Sequence, residues 1–210
     1  GTWDNGLASF DGSNWIVYDT SNSNILSNMI GCLGIDSLNR VWVGCTYSGI
    51  SVLSGGAFSN FTTSNSGLVS DILFQFLDDG NDRMWIAGHG LCRFNYDDST
   101  WMNFSSGTLS TVSSIALDSS GKLWMGYSIP GYGVSVYDSI NGFNHSTPFG
   151  AWTYYDCLKI DKRNHVWVAT RGQGLLEYDG SNWIQYMPLL PDSGNAMNLF
   201  IDGLKRIWYR

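Results

Sequence analysis

Charge is what this chain has least of. Asp, Glu, Lys and Arg make up 14% of its 210 residues, against about a quarter in ordinary soluble domains. Glu occurs once, at Glu177. The 11 Lys and Arg form no run, and the formal net charge is −7. A phosphate backbone demands a basic footprint, so no nucleic acid partner is expected. No apolar run approaches the ~18 residues of a membrane-spanning helix, so no membrane span is expected. No signal peptide is visible. The chain opens on Gly1 rather than Met, which fits removal of upstream sequence.

Cysteine chemistry is equally thin. Cys32, Cys45, Cys92 and Cys157 are scattered, with no C-x-x-C pair. That pattern suggests neither a zinc site nor a redox motif. Cys32 and Cys157 each stand ten residues before a Trp (Trp42 and Trp167) and so hold equivalent places in separate repeats. Four free thiols packed as small apolar groups are the expectation. His89, His145 and His165 lie in different repeat elements, at no metal-ligand spacing, and no nucleophile–base pair is visible. No metal, cofactor or catalytic residue is expected.

What the chain has in quantity is aromatic residues (15%, with ten Trp), together with glycine. One stretch organises them. Asp36-Ser-Leu-Asn-Arg-Val-Trp42-Val-Gly44 returns around Asp118/Trp124, Asp161/Trp167 and Asp202/Trp208. Asp78-Asp-Gly-Asn-Asp-Arg-Met-Trp85 reads as a fifth copy, one residue longer. Trp42, Trp85, Trp124, Trp167 and Trp208 are spaced by 43, 39, 43 and 41 residues. One Trp per 40–45 residues is the mark of propeller blades, each of four short strands.

The strands follow from period-two alternation. First strands carry Leu33/Ile35, Ile115/Leu117, Leu158/Ile160 and Leu199/Ile201. The Asp and its neighbours turn the chain, the carboxylate bonding local backbone N–H groups. The Trp strand comes second. A loop ending at Gly6, Gly49, Gly90, Gly133 or Gly174 precedes the third strand, which closes on Phe10, Leu53, Phe94, Tyr137 or Tyr178. Asp11-Gly and Asp179-Gly are strong hairpin signals. Fourth strands read Trp15–Tyr18, Phe58–Phe61, Trp101–Phe104 and Trp183–Tyr186, with a weaker Phe143-Asn-His-Ser146. No segment reads as a helix. Gly1-Thr2 matches the end of a second strand and Trp208 lies in another, so the tally is five of each type. The expectation is a single all-β domain over residues 1–210: a five-bladed propeller of four-stranded antiparallel blades, closed by pairing about 197–210 with about 6–19. That closure removes the open sheet edges. A fragment of a six- or seven-bladed ring is the alternative.

The pattern Asp-x-x-Gly/Asn-x-x-Trp-x-Gly-Thr-x-x-x-Gly-Leu-x-x-Tyr-Asp, then an aromatic strand and Thr-x-x-Asn-Ser-x-Leu, resembles the two-component regulator propeller repeat. Trp167-Val-Ala-Thr-Arg-Gly-Gln-Gly-Leu-Leu-Glu-Tyr-Asp179 and Phe61-Thr-Thr-Ser-Asn-Ser-Gly-Leu68 match well, and the likeness covers essentially the whole chain. It implies an extracytoplasmic sensor region of a bacterial hybrid histidine kinase, or a separate secreted or periplasmic protein, often carbohydrate-sensing. Such sensors usually carry more repeats than five. The turn Asp118-Ser-Ser-Gly-Lys-Leu-Trp124 also looks like the Asp-box of sialidase propellers, which is one residue shorter and structural there.

Function is sought where the repeats stop agreeing. Four residues beyond each Trp come Thr46, His89, Ser128 and Arg171, with Trp3 as the cyclic equivalent. Aromatic rings with a few hydrogen-bonding groups suit a small polar ligand such as a sugar. The ligand-binding candidates, on the face formed by these loops and the inter-blade links, are Trp3, Tyr47, His89, Tyr127, Trp152, Tyr154, Arg171 and Gln173. Lys159 and Asn198 are candidates for a channel lined by first strands, where Cys32, Phe74, Ser114 and Cys157 are equivalent to Asn198. Glu177, in a third strand, is expected to face solvent. The reading is a non-catalytic recognition module for a small polar ligand, a glycan or a protein partner. A lyase or glycosidase of propeller type, and a docking scaffold, are the alternatives.

Overall fold

A computed structural model describes residues 1–104, 111–129, 132–146, 154–186, 198–204 and 206–209. It holds twenty strands and, among the described residues, no helix. They fall into two compact units, Gly1–Ser110 and Thr111–Arg210. Unit 1 opens with the hairpin β1 (Leu7–Phe10) and β2 (Trp15–Tyr18). Two four-stranded antiparallel meanders follow: β3 (Ile30–Ile35), β4 (Val41–Cys45), β5 (Gly49–Ser54) and β6 (Ala57–Phe61), then β7 (Leu73–Asp78), β8 (Arg83–Gly88), β9 (Gly90–Asn95) and β10 (Trp101–Phe104). Unit 2 mirrors this in order. It has β11 (Val112–Leu117), β12 (Leu123–Tyr127), β13 (Val134–Asp138) and β14 (Gly142–Ser146), then β15 (Tyr154–Ile160), β16 (Val166–Arg171), β17 (Gly174–Tyr178) and β18 (Trp183–Tyr186). It ends on the hairpin β19 (Leu199–Ile201) and β20 (Ile207–Tyr209). These are propeller-type blades: consecutive first strands pack together, β3 on β7 and β11 on β15. All four cysteines are free.

The recurring Asp does more than turn the chain. Asp36 Oδ1 accepts from the backbone N–H of Leu38 (3.0 Å) and Arg40 (2.8 Å). Its Oδ2 accepts from Trp42 Nε1 at 2.7 Å. The indole bond recurs in Asp118–Trp124 (3.1 Å), Asp161–Trp167 (3.3 Å) and Asp202–Trp208 (2.9 Å). One carboxylate therefore ties the hairpin to the ring that follows it. Burial opposes ionisation of Asp36, but the Trp42, backbone and Arg40 bonds outweigh it and hold its carboxyl below the ordinary value.

One expectation needs correcting. The turn carboxylate before Trp85 is Asp79, not Asp78: Asp79 N bonds Arg83 O as Asp36 N bonds Arg40 O, and Arg83 Nε lies 2.7 Å from Asp79 Oδ2. Counted from Asp79, this copy has the common length. Asp78 accepts from Gly80 N (2.7 Å), and also from Ser37 N (2.7 Å) and Tyr96 Oη (2.9 Å). The register of β7 shifts accordingly. Gln75 pairs with Ala87 as Cys32 pairs with Gly44, so Gln75 rather than Phe74 is the equivalent of Cys32.

Each Trp then presents its face to a recurring aromatic cluster. Trp42 stacks on Phe61 of its own blade (6.3 Å, 12°) and meets Phe94 of the next at 5.6 Å. Trp101 closes the box, 5.5 Å from Phe61 and 4.9 Å from Phe94. Trp85 packs with Phe104 (4.9 Å) and Trp167 with Tyr186 (5.7 Å) in the same way. Gly34 makes room for the neighbouring blade, since a Cβ there would lie 2.6 Å from Phe76 Cβ. Trp208 is 53% exposed on the terminal hairpin.

Removing the clasp should be costly. Asp36→Ala strips the buried Trp42 N–H and two turn N–H groups of their acceptor, and is expected to lower unfolding free energy by about 2–4 kcal/mol in urea titration. Asp36, Asp118 and Asp161 are all held below the ordinary carboxyl range. Their contribution is thus complete above the unfolded-state value of about 3.9 and is lost as pH falls below it. The urea midpoint is expected to hold from pH 7 to 5 and to drop steeply below pH 4.

Candidate functional site

The loops after the Trp strands are built onto the links that lead into first strands. In unit 1, Thr46 N donates to Met29 O (2.8 Å), His89 N to Ile72 O (3.0 Å) and Ile30 N to Thr2 O (2.9 Å). Loop and link are therefore bonded to each other at one end of the unit 1 blades. Thr2 repeats a local bond of Thr170: Thr2 Oγ1 donates to Gly6 O (2.9 Å) as Thr170 Oγ1 donates to Gly174 O (2.7 Å). That equivalence matches Trp3 to Arg171, the last residue of β16.

Trp3 and Tyr47 project from these loops, 67% and 70% exposed. Tyr47 sits at φ 59°, a left-handed conformation that costs a bulky side chain energy. Backbone bonds on both sides, Thr46 N to Met29 O and Ser48 N to Cys45 O, hold the loop there. His89 is exposed, with its ring 5.7 Å from that of Phe74.

In unit 2 the structure joins two candidates. Tyr154 and Arg171 are directly paired across β15 and β16, and the guanidinium lies 5.3 Å over the phenol ring. Such stacking fixes the plane of the guanidinium on an exposed side chain. Gln173 is half-buried and tied by Gln185, whose Nε2 donates to its carbonyl (3.0 Å) and to its Oε1 (2.9 Å). Lys159 and Asn198 are exposed, and Lys159 stands opposite Trp167. Trp152 lies outside the described residues.

Tyr127 does not belong to an accessible face. It is fully buried, 5.9 Å from the Tyr132 ring and 6.2 Å from His145. Burial pushes its phenol up to about 12. It ends β12 inside the blade, before the chain turns outward, so its place three residues after Trp124 marks core rather than loop.

Glu177 is the second correction. It is buried, paired opposite Trp167 in the slot that Val52 and Val136 fill in other blades. His165 Nδ1 is 2.6 Å from its Oε1, Arg163 reaches the same oxygen at 3.4 Å, and Tyr186 Oη donates to Oε2 at 2.6 Å. The carboxylate raises the Tyr186 phenol above its ordinary value. Arg163 also bridges to Asp161 at 3.0 Å. The only Glu is thus the hub of a polar network on the Trp-bearing face of its blade. Sequence reasoning missed it because strand alternation cannot say which face a neighbouring side chain will cover.

No family model matches the chain, and no curated protein does. Solved structures do match. The extracellular domain of a protein described as a hybrid two-component system from B. thetaiotaomicron is similar over 99% of this chain, with a TM-score of 0.77 and 21% identity. PorZ, a surface component of the type-IX secretion system of Porphyromonas gingivalis, is similar over 96%, with a TM-score of 0.75 and 19% identity. Virginiamycin B lyase from Staphylococcus aureus is similar over 86%, with a TM-score of 0.72 and 11% identity. The chain spans 30%, 34% and 62% of those chains respectively. At these identities the likeness is one of fold.

The Glu177 network is expected to be structural. Glu177→Ala leaves the His165 and Arg163 donors without their buried acceptor and should lower stability by about 3 kcal/mol in urea titration. Glu177→Gln, which keeps the shape, should recover roughly half of that loss.

Proposed function

We propose that the chain is a non-catalytic recognition module of the two-component regulator propeller type. It works in the periplasm or outside the cell, and its post-Trp loops meet a small polar ligand, a glycan or a protein partner. The observation that carries this reading is the presentation of Trp3 and Tyr47, 67% and 70% exposed on loops fixed by backbone bonds. A large ring with only two rotatable side-chain bonds, carried on a fixed backbone, loses little freedom when a partner covers it. The Tyr154–Arg171 stack adds a donor fork of the kind that orients hydroxyl or carboxylate groups. The fold likeness to extracellular domains of sensor systems supports the compartment.

We propose further that the chain is one five-bladed domain. Unit 1 leaves Phe10 and Trp15 stacked at 4.9 Å and exposed, in the positions that Tyr178 and Trp183 hold in a complete blade. It also leaves Leu33 and Ile35 of β3 exposed, while unit 2 leaves Phe200 and Trp208 exposed on its terminal hairpin. Exposed apolar patches beside open strand edges favour coverage by a further strand pair. Pairing β20 with β1 in the β4–β5 register sets Ile207 against Phe10, as Val41 stands against Leu53.

Two measurements test these readings. A thermal-shift screen against monosaccharides and oligosaccharides should give a hit whose affinity falls roughly tenfold in Trp3→Ala and in Arg171→Ala. A hit indifferent to both would place recognition elsewhere. For closure, the double variant Phe10→Cys/Ile207→Cys should form an intramolecular disulfide under mild oxidation, mapped by mass spectrometry. A bridge found only between molecules would exclude the closed ring.

A further inference from the structure

Unit 2 breaks the aromatic box in one place. Where Phe61, Phe104 and Tyr186 each pack on the Trp of their own blade, the blade of β11–β14 carries Ser146. The register is the same: Ser146 pairs with Val134 as Phe61 pairs with Ile50. The other three walls stand. Trp124 lies 5.4 Å from Tyr178, and Tyr178 lies 5.2 Å from Trp183. In the intact box, Phe61 contacts Trp42, Phe94 and Trp101 at 6.3, 5.7 and 5.5 Å. Among the described residues, the gap left by Ser146 is therefore shaped for one six-membered ring, touched on three sides.

The gap opens into a groove of about 770 Å³, lined by Trp124, Tyr178, Trp183, Asn144, Ser146 and Asn164 among others. That is within the usual range for small-molecule sites. The Trp124 indole is fixed by its bond to Asp118 at 3.1 Å. Charges at the groove are mutually engaged. Lys122 Nζ lies 3.5 Å from Asp138 Oδ2, and Asp118 accepts from Ser120 and Trp124. The walls thus call for a ligand with no net charge, an apolar ring face and a rim of hydroxyls that amides and Ser can meet.

We propose that this groove is a ligand site taking a neutral pyranose ring, stacked on Trp124 in the place of the absent aromatic side chain. None of the loop residues of the proposed recognition face lines it, so it goes beyond that reading. The ring's C–H face covers the indole, and its hydroxyls meet Asn144 and Ser146.

The test uses the full chain and methyl β-glucopyranoside, methyl β-galactopyranoside and methyl α-mannopyranoside as probes, read by saturation-transfer NMR and by the shift of the Trp124 indole N–H. At least one pyranoside should bind the wild type. Ser146→Phe, which rebuilds the box, should weaken it at least tenfold while raising Tm by about 2–4 °C. Asn144→Ala should weaken it roughly fivefold without changing Tm, and it decides the matter should Ser146→Phe fold poorly. Binding unaltered in both variants overturns the proposal, as does no transfer to any of the three. N-acetyl-phenylalaninamide is the rival probe, and its binding where the pyranosides fail would show a groove made for an aromatic side chain instead. Loss in Ser146→Phe is separate from the loop face, whose own test reads on Trp3→Ala and Arg171→Ala.

Discussion

The carboxylate of Asp36 accepts from two turn N–H groups through one oxygen, and from the Arg40 and Trp42 side chains through the other. Charge-assisted bonds of this kind are about twice as strong as neutral ones. Their geometric effect matters as much as their strength. The first oxygen sets the hairpin between first and second strands; the second pins the edge of the indole six residues on. With its edge held, the ring is set against Phe61 of its own blade and Phe94 of the next, which themselves lie 5.7 Å apart. Everything larger in the fold depends on that orientation: the Trp42–Phe61–Phe94–Trp101 box, and the packing of β3 on β7.

How much of this could be read from the sequence varies by level. Period-two alternation and the Asp-to-Trp spacing located the first strands other than β7, because a short antiparallel blade is specified locally. The register of β7 slipped by one because Asp78 and Asp79 are adjacent and only the bond to Arg83 distinguishes them. The indole bond itself was not legible, since Asp before a turn is already accounted for by the backbone. Burial was least legible. Glu177 and Tyr127 lie inside for reasons that sit on other strands: the donors His165 and Tyr186 for one, the rings of Tyr132 and His145 for the other. Among the loop candidates, Trp3, Tyr47, His89 and Arg171 are exposed, because counting from a fixed Trp tracks strand ends well.

A scaffold that repeats itself confines individuality to its departures. Two kinds occur here. Loop positions four residues beyond each Trp differ from repeat to repeat: Thr46, His89, Ser128 and Arg171. Glu177 and Ser146 differ inside packed positions, where the repeats otherwise agree. Glu177 brought its own partners, so its slot is filled by a network rather than by an apolar side chain.

Among the described residues, Ser146 has none that fills the place of a ring. A hydroxyl there leaves the Trp124 face part-covered, whereas Trp42 behind Phe61 is 1% exposed. Aromatic pairs of this kind contribute about 0.5–1.5 kcal/mol beyond the area they bury, so the gap carries a standing cost in stability. A loop aromatic could be exposed by chance at little cost. An opened box cannot, because the surrounding Trp124, Tyr178 and Trp183 still hold the geometry that a fourth ring would complete. The departure that costs the fold something is therefore the more telling guide to function than the departures that cost it nothing. Strained or under-packed positions inside an otherwise consistent scaffold are where binding sites are expected.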